Sequence, residues 1–136
     1  MNPAPPEEFL TPGSVIKIFT YNTDPPKFKR CIVVGLSDPP TMVAVLYFNT
    51  ALPSSPFIQH YQIPFSGEEE YIDHACYLDC AQLYEESAAW IRRSVADNKE
   101  DPLLGRLPDD LFGKVIAILK DGSTISHKLK KKYGIV

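Results

Sequence analysis

The chain has 136 residues, of which 44% are hydrophobic and 23% charged, with a formal net charge of -3. This is ordinary globular usage, enough for one domain with a real core and little for two, and it excludes wholesale disorder. The negative balance excludes a global basic field, and 13 prolines against 7 glycines exclude an all-helical bundle, because proline breaks helix interiors.

Residues 1–10, with Pro3, Pro5 and Pro6, read as a flexible proline-rich arm, and 11–136 as a single domain. The start lacks the basic and apolar regions of a secretory signal, and no apolar run approaches the roughly 18 residues of a membrane span. A cytoplasmic protein with no membrane association is expected, its three cysteines free thiols.

Strands are predicted over 14–21, 29–36 and 41–50, each rich in β-branched and aromatic residues and bounded by turn formers such as Pro25-Pro26, Pro39-Pro40, Pro53 and Pro56. In the third, Met42, Ala44, Leu46 and Phe48 alternate with Val43, Val45 and Tyr47. Both faces are apolar, which predicts a central strand covered on both sides. Residues 57–63 and 75–80 are the fourth and fifth candidates. Short strands joined by proline turns predict a small antiparallel barrel or sandwich.

Helical periods take over in the second half. Ser87 is placed to cap a helix over 88–96. Pro108 suits a first helical position, Asp109 and Asp110 favour the positive end of the dipole, and Gly122 closes the helix. Leu111, Val115, Ile118 and Leu119 form one apolar stripe. Ser123 is expected to cap a last turn over 125–132, and 97–107 reads as a connecting loop. The fold class is therefore α+β, mainly β, with about five strands and helices packed at the C-terminal end.

Most chemistry-bearing residues have a structural explanation. His74, Cys76 and Cys80 share a face at strand spacing, but zinc sites need a further pair of ligands, so core packing of the thiols is the better reading and no metal or cofactor is expected. A nucleophilic pairing of a cysteine with His60, His74 or His127 has no local signature, and Cys31 reads as core. Glu68, Glu69, Glu70 and Asp73 read as a solvated turn. No glycine-rich phosphate loop is present.

The basic residues are unevenly placed. Lys27, Lys29 and Arg30 lead into the second strand, and Lys128, Lys130, Lys131 and Lys132 form a tail cluster beside Tyr133. Local positive charge on an acidic body is what a polyanion-binding face requires.

The series Gly13-Ser14-Val15-Ile16, Lys29-Arg30-Cys31-Ile32-Val33-Val34, Phe48-Asn49-Thr50, Cys76-Tyr77-Leu78-Asp79-Cys80-Ala81-Gln82-Leu83 and Leu104-Gly105-Arg106-Leu107-Pro108 resembles, in order, the MazF/PemK-type toxins. The resemblance implies an SH3-like barrel with a C-terminal helix, a homodimer, an antitoxin protein or peptide as partner, and metal-independent cleavage of single-stranded RNA. In that reaction the substrate's own 2′-hydroxyl attacks the adjacent phosphate. It implies that Arg30 and Thr50 are catalytic and that Lys27 and Lys29 bind the RNA backbone. Cys31 stands where the family has proline and Ser14 where it has an acid, and residues from about 123 extend the usual end. Those differences and the negative charge motivate an alternative, a non-catalytic SH3-like module that binds a protein or peptide. A third reading is RNA binding by the Lys128–Lys132 tail without cleavage.

Overall fold

The computed structural model describes residues 9–37, 41–50, 60–97 and 103–135. Among them seven antiparallel strands form one sheet: β1 (Ser14–Thr20), β2 (Lys27–Ser37), β3 (Met42–Asn49), β4 (His60–Ile63), β5 (Cys76–Asp79), β6 (Tyr84–Ser87) and β7 (Leu103–Arg106). The helices are α1 (Ala88–Asp97), α2 (Asp109–Asp121) and α3 (His127–Lys132). The strand order is β4-β5-β3-β2-β1-β7, with β6 also paired to β3. One edge of β3 is shared: Met42 to Val45 pair with β6, and Phe48 and Asn49 pair with β5. Register breaks on β2 between Val33 and Gly35 and on β1 between Val15 and Ile16. Bulges of this kind bend strands and increase twist. The sheet curls into a half-barrel, so the fold is α+β and mainly β.

β3 is covered on both faces, as its alternating apolar residues require. On one side Ala44, Leu46 and Phe48 join Val15, Ile32 and Val34 beneath Val115 and Leu119 of α2. On the other, Val43, Val45 and Tyr47 join Ile16, Ile18, Cys31 and Val33 beneath Ala88 and Ile91 of α1. Cys76 and Cys80 are buried as well, so all three thiols are core residues.

Several elements differ from the expectation. The 97–107 segment contains β7, which is a strand because it pairs with β1 through Ser14↔Arg106 and Val15↔Gly105. β6 was not anticipated either, since Glu85 and Glu86 mask a short edge strand. The end of the expected arm is packed: Phe9 and Leu10 are buried against the α1 side of the sheet, while residues 1–8 lie outside the described residues. The turns at Pro39-Pro40, Pro53 and Pro56 also lie outside them, as do 51–59 and 98–102. Pro108 is the N-cap of α2 rather than its first helical residue, and Gly122 closes it with extended backbone, its N–H donating to the Ile118 carbonyl. Ser126, not Ser123, caps the last helix, its Oγ accepting from Leu129 N–H at 3.2 Å. Among the described residues no helix is long and apolar enough to cross a membrane.

The segment after 123 is a docked part of the fold. Ile125, Tyr133 and Ile135 are core residues. A Cβ on Gly35 would lie 3.0 Å from the Tyr133 carbonyl oxygen, so glycine at the β2 bulge lets this segment approach the strand. Lys130 is buried and donates through Nζ to the carbonyls of Lys120 (2.9 Å) and Gly122 (2.5 Å), placing a cation at the negative end of α2. Lys132 pairs with Glu85 at 2.6 Å, and the same carboxylate accepts from the Tyr133 hydroxyl at 2.6 Å. Two members of the lysine cluster thus have structural partners, which weakens the reading of the tail as a nucleic-acid-binding extension.

Lys130→Ala is expected to cost about 2–3 kcal/mol in urea unfolding, because it leaves carbonyls at the helix end without a charged donor. The exposed Lys128→Ala and Lys131→Ala should each stay within about 0.5 kcal/mol of the parent protein.

Candidate functional site

β2 is longer than the core it covers. Cys31 to Gly35 are buried, whereas Lys27 and Phe28 are exposed and Lys29 and Arg30 partly buried. This overhang is paired with β1, through Lys17↔Arg30, Phe19↔Phe28 and Thr20↔Lys27. The pairing holds the basic residues on a rigid element rather than a loop. The end of β3 and the residues before β5 meet the overhang and enclose a cleft of about 260 Å3.

All four residues implied by the resemblance, Arg30, Thr50, Lys27 and Lys29, line this one cleft, together with Lys17, Asn49, Asp73 and His74. Thr50 is exposed, and the side chains of Asp73 and His74 are 73% and 49% exposed, so the cleft faces solvent. Lys29 Nζ donates to Asn49 Oδ1 at 2.9 Å. Burial, then the nearby Lys27, lowers the Lys29 pKa, with Asp79 acting in the opposite sense. Arg30 Nη1 lies 3.4 Å from Asp73 Oδ1, and the Arg30 Nε is buried without a hydrogen-bond partner.

Asp73 links Arg30 to His74. Its Oδ1 contacts His74 Nδ1 at 2.5 Å, and this hydrogen bond, followed by the Arg30 charge, holds the Asp73 carboxyl below the ordinary carboxylate value. An ionised carboxylate only accepts, so Nδ1 carries the proton and, in the neutral ring, Nε2 is left as the basic nitrogen. Cys76 also lines the cleft, but burial raises its thiol pKa, which opposes a thiolate nucleophile there.

Asp73 and His74 were not read from the sequence as a functional pair. Their adjacency in the chain was the available signal. His74 drew attention as a metal ligand because of Cys76 and Cys80, yet the ring meets Asp73 while both thiols pack in the core. Arg30 lies 43 residues from Asp73 in the chain, and only the fold brings them together.

Phe28 also lines a second cleft, of about 480 Å3, with Phe19, Tyr21, Trp90, Arg93 and Ser94. Beyond Tyr21 and Trp90 is an acidic hollow containing Asn22, Glu85 and Glu86. There Thr20 Oγ1 and Tyr47 OH are hydrogen-bonded at 2.8 Å, and Asn22 Nδ2 donates to Tyr47 OH at 3.1 Å and to Glu86 Oε1 at 3.0 Å. Tyr47 OH donates to the same Glu86 oxygen at 3.4 Å. Burial raises the Glu86 pKa despite these donors, and it is the first cause of the rise of the Tyr47 phenol to about 12.

No protein-family profile matches the chain, and no curated protein is significantly similar to it in sequence. The functional reading therefore rests on the residues and their geometry.

The raised Glu86 pKa fixes the sign of a stability effect. The folded state retains the Glu86 proton to higher pH than the unfolded state, so the burial penalty appears as pH rises from the ordinary carboxylate value through the raised one. Glu86→Gln is expected to stabilise the protein at pH 8 by up to about 1 kcal/mol, allowing for solvent screening at a partly buried position. The gain should disappear near pH 4, as measured by thermal unfolding at both values.

Proposed function

We propose that the protein is a toxin-like endoribonuclease in which the substrate's own 2′-hydroxyl cleaves the adjacent phosphodiester. The observation that carries this reading is the meeting of Arg30, Thr50 and Lys29 with the Asp73–His74 pair around one solvent-facing cleft. The reaction needs an acceptor for the 2′-proton, a cation over the pentavalent phosphate and a donor for the departing oxygen. The cleft contains a side chain suited to each requirement.

In the proposed sequence, His74 Nε2 takes the 2′-proton as the 2′-oxygen forms a bond to phosphorus. Asp73 holds the ring through Nδ1 and stabilises the imidazolium that results. Arg30 carries the negative charge that develops on the non-bridging oxygens. A guanidinium hardly deprotonates, so its role is electrostatic. Thr50 donates a hydrogen bond to the phosphate. The bond from phosphorus to the 5′-oxygen then breaks, and Lys29 supplies the proton that the departing oxygen takes. Its lowered pKa favours that transfer. The products are a 2′,3′-cyclic phosphate and a 5′-hydroxyl. Lys27 and Lys17 hold the flanking backbone electrostatically. The homodimer and the antitoxin peptide implied by the resemblance belong to this proposal.

Purified protein incubated with single-stranded RNA and a chelator should yield cyclic-phosphate ends, read by mass spectrometry. Arg30→Ala should lower the rate by about 100- to 1,000-fold, as removal of a transition-state donor does. His74→Ala should lower it by at least about 100-fold, as loss of a general base does. Absence of cleavage, or cleavage undiminished by Arg30→Ala, overturns the proposal.

A further inference from the structure

The second cleft has the composition of a stacking site. Tyr21 is 71% exposed and Phe28 39% exposed, although neither is needed to close the core. Phe19 meets Tyr21 and Phe28 edge-on, at centroid distances of 5.4 and 5.2 Å, and Tyr21 meets Trp90 at a tilt of 47°. None of these pairs is stacked face to face, and each edge-on contact covers at most one face of one of its two rings. Trp90 is fixed in place, its Nε1–H donating to the Phe19 carbonyl at 3.0 Å. Ser94 lines the same cleft at only 4% exposure, and its buried Oγ has no hydrogen-bond partner. The cleft therefore combines aromatic faces, an unused polar atom and the exposed cation Arg93.

We infer that this cleft binds an unpaired nucleobase of a single-stranded polynucleotide whose neighbouring phosphates lie on Arg93 and in the Arg30 cleft. Phe28 borders both clefts, which the bound strand would follow as one track. Lys27, Lys29, Arg30 and Arg93 along the track complement a phosphate backbone, while the aromatic rings offer the sequence-tolerant stacking that single strands use. Glu86 lies past Tyr21 and Trp90, where its carboxylate opposes continuation of the backbone. The inference rests on the RNA reading for the direction of the strand, but it requires no cleavage.

Trp90 is the only tryptophan, so its fluorescence reports this cleft directly. The probe is a short 2′-O-methyl oligonucleotide, which lacks the attacking hydroxyl. It should quench Trp90 saturably, and an abasic oligomer of the same length should not. Tyr21→Ala should weaken binding by about 10- to 100-fold, as loss of one stacking residue does. Phe28→Leu, which removes a ring but keeps an apolar side chain, provides a second variant with less risk to folding. Arg93→Gln should reduce the salt slope by about one. Quenching that does not depend on the bases overturns the inference, as does quenching by a peptide of residues 1–8 and not by the oligonucleotide. Base-dependent quenching without cleavage of ordinary RNA supports the base site and refutes the catalytic reading. Cleavage without quenching does the reverse.

Discussion

β3 has an apolar side chain at nearly every position, and a strand of that composition must be covered on both faces. Burial of residues such as Val43, Leu46 and Val45 is worth about 1.5–3 kcal/mol each relative to exposure, whereas one uncovered face would leave half of them in water. α1 and Phe9–Leu10 cover one side, and α2 with the Tyr133–Ile135 segment covers the other. Lys130 reinforces the second cover by joining the C-terminal segment to the end of α2. The shared edge of β3 has a further consequence. With β5 against its end and β2 on its other side, β3 brings Thr50 and Asn49 to the same opening as the overhang of β2.

That overhang concentrates positive charge on a chain of net charge -3. Lys27, Lys29 and Arg30 lie beyond the apolar part of β2, where neither face has to be buried, so strand geometry can be used for a charged surface. Asp73 reduces the cost of holding Arg30 in place and also orients His74. One carboxylate therefore couples the cation that would stabilise a phosphate to the ring that would move a proton. The aromatic cleft continues from the same strands, with α1 adding Trp90, Arg93 and Ser94.

The fold was most legible where local sequence and tertiary demand agreed. β1, β2 and β3 combine β-branched runs with terminating prolines or polar residues, and the two-faced pattern of β3 correctly indicated two layers around the sheet. β6 and β7 were illegible because both depend on their partners. Tyr84–Ser87 carries two glutamates and Leu103–Arg106 contains a glycine, so neither has a strong strand pattern; pairing with β3 and β1 makes them strands. The C-terminal lysines read as one charged block because composition does not specify direction, whereas α3 turns Lys130 inward and leaves Lys131 exposed. Lys27, Lys29 and Arg30 stood out by charge, the ordered resemblance added Thr50 and a role for each, and the fold brings all four to one cleft. His74 is a different case. Neighbouring cysteines gave it a misleading context, and its link to Arg30 depends on contacts far apart in the chain.

In the proposed reaction the substrate provides the nucleophile while Arg30 and His74 assist it. A DNA oligonucleotide containing one ribonucleotide isolates that requirement, because only one linkage then carries a neighbouring 2′-hydroxyl. Mapping the products at single-nucleotide resolution should show one cut, immediately 3′ to the ribonucleotide, with a cyclic phosphate on that residue. Cleavage at deoxyribonucleotide linkages, or an intact oligonucleotide under conditions that cleave the all-RNA version at the same position, would contradict it.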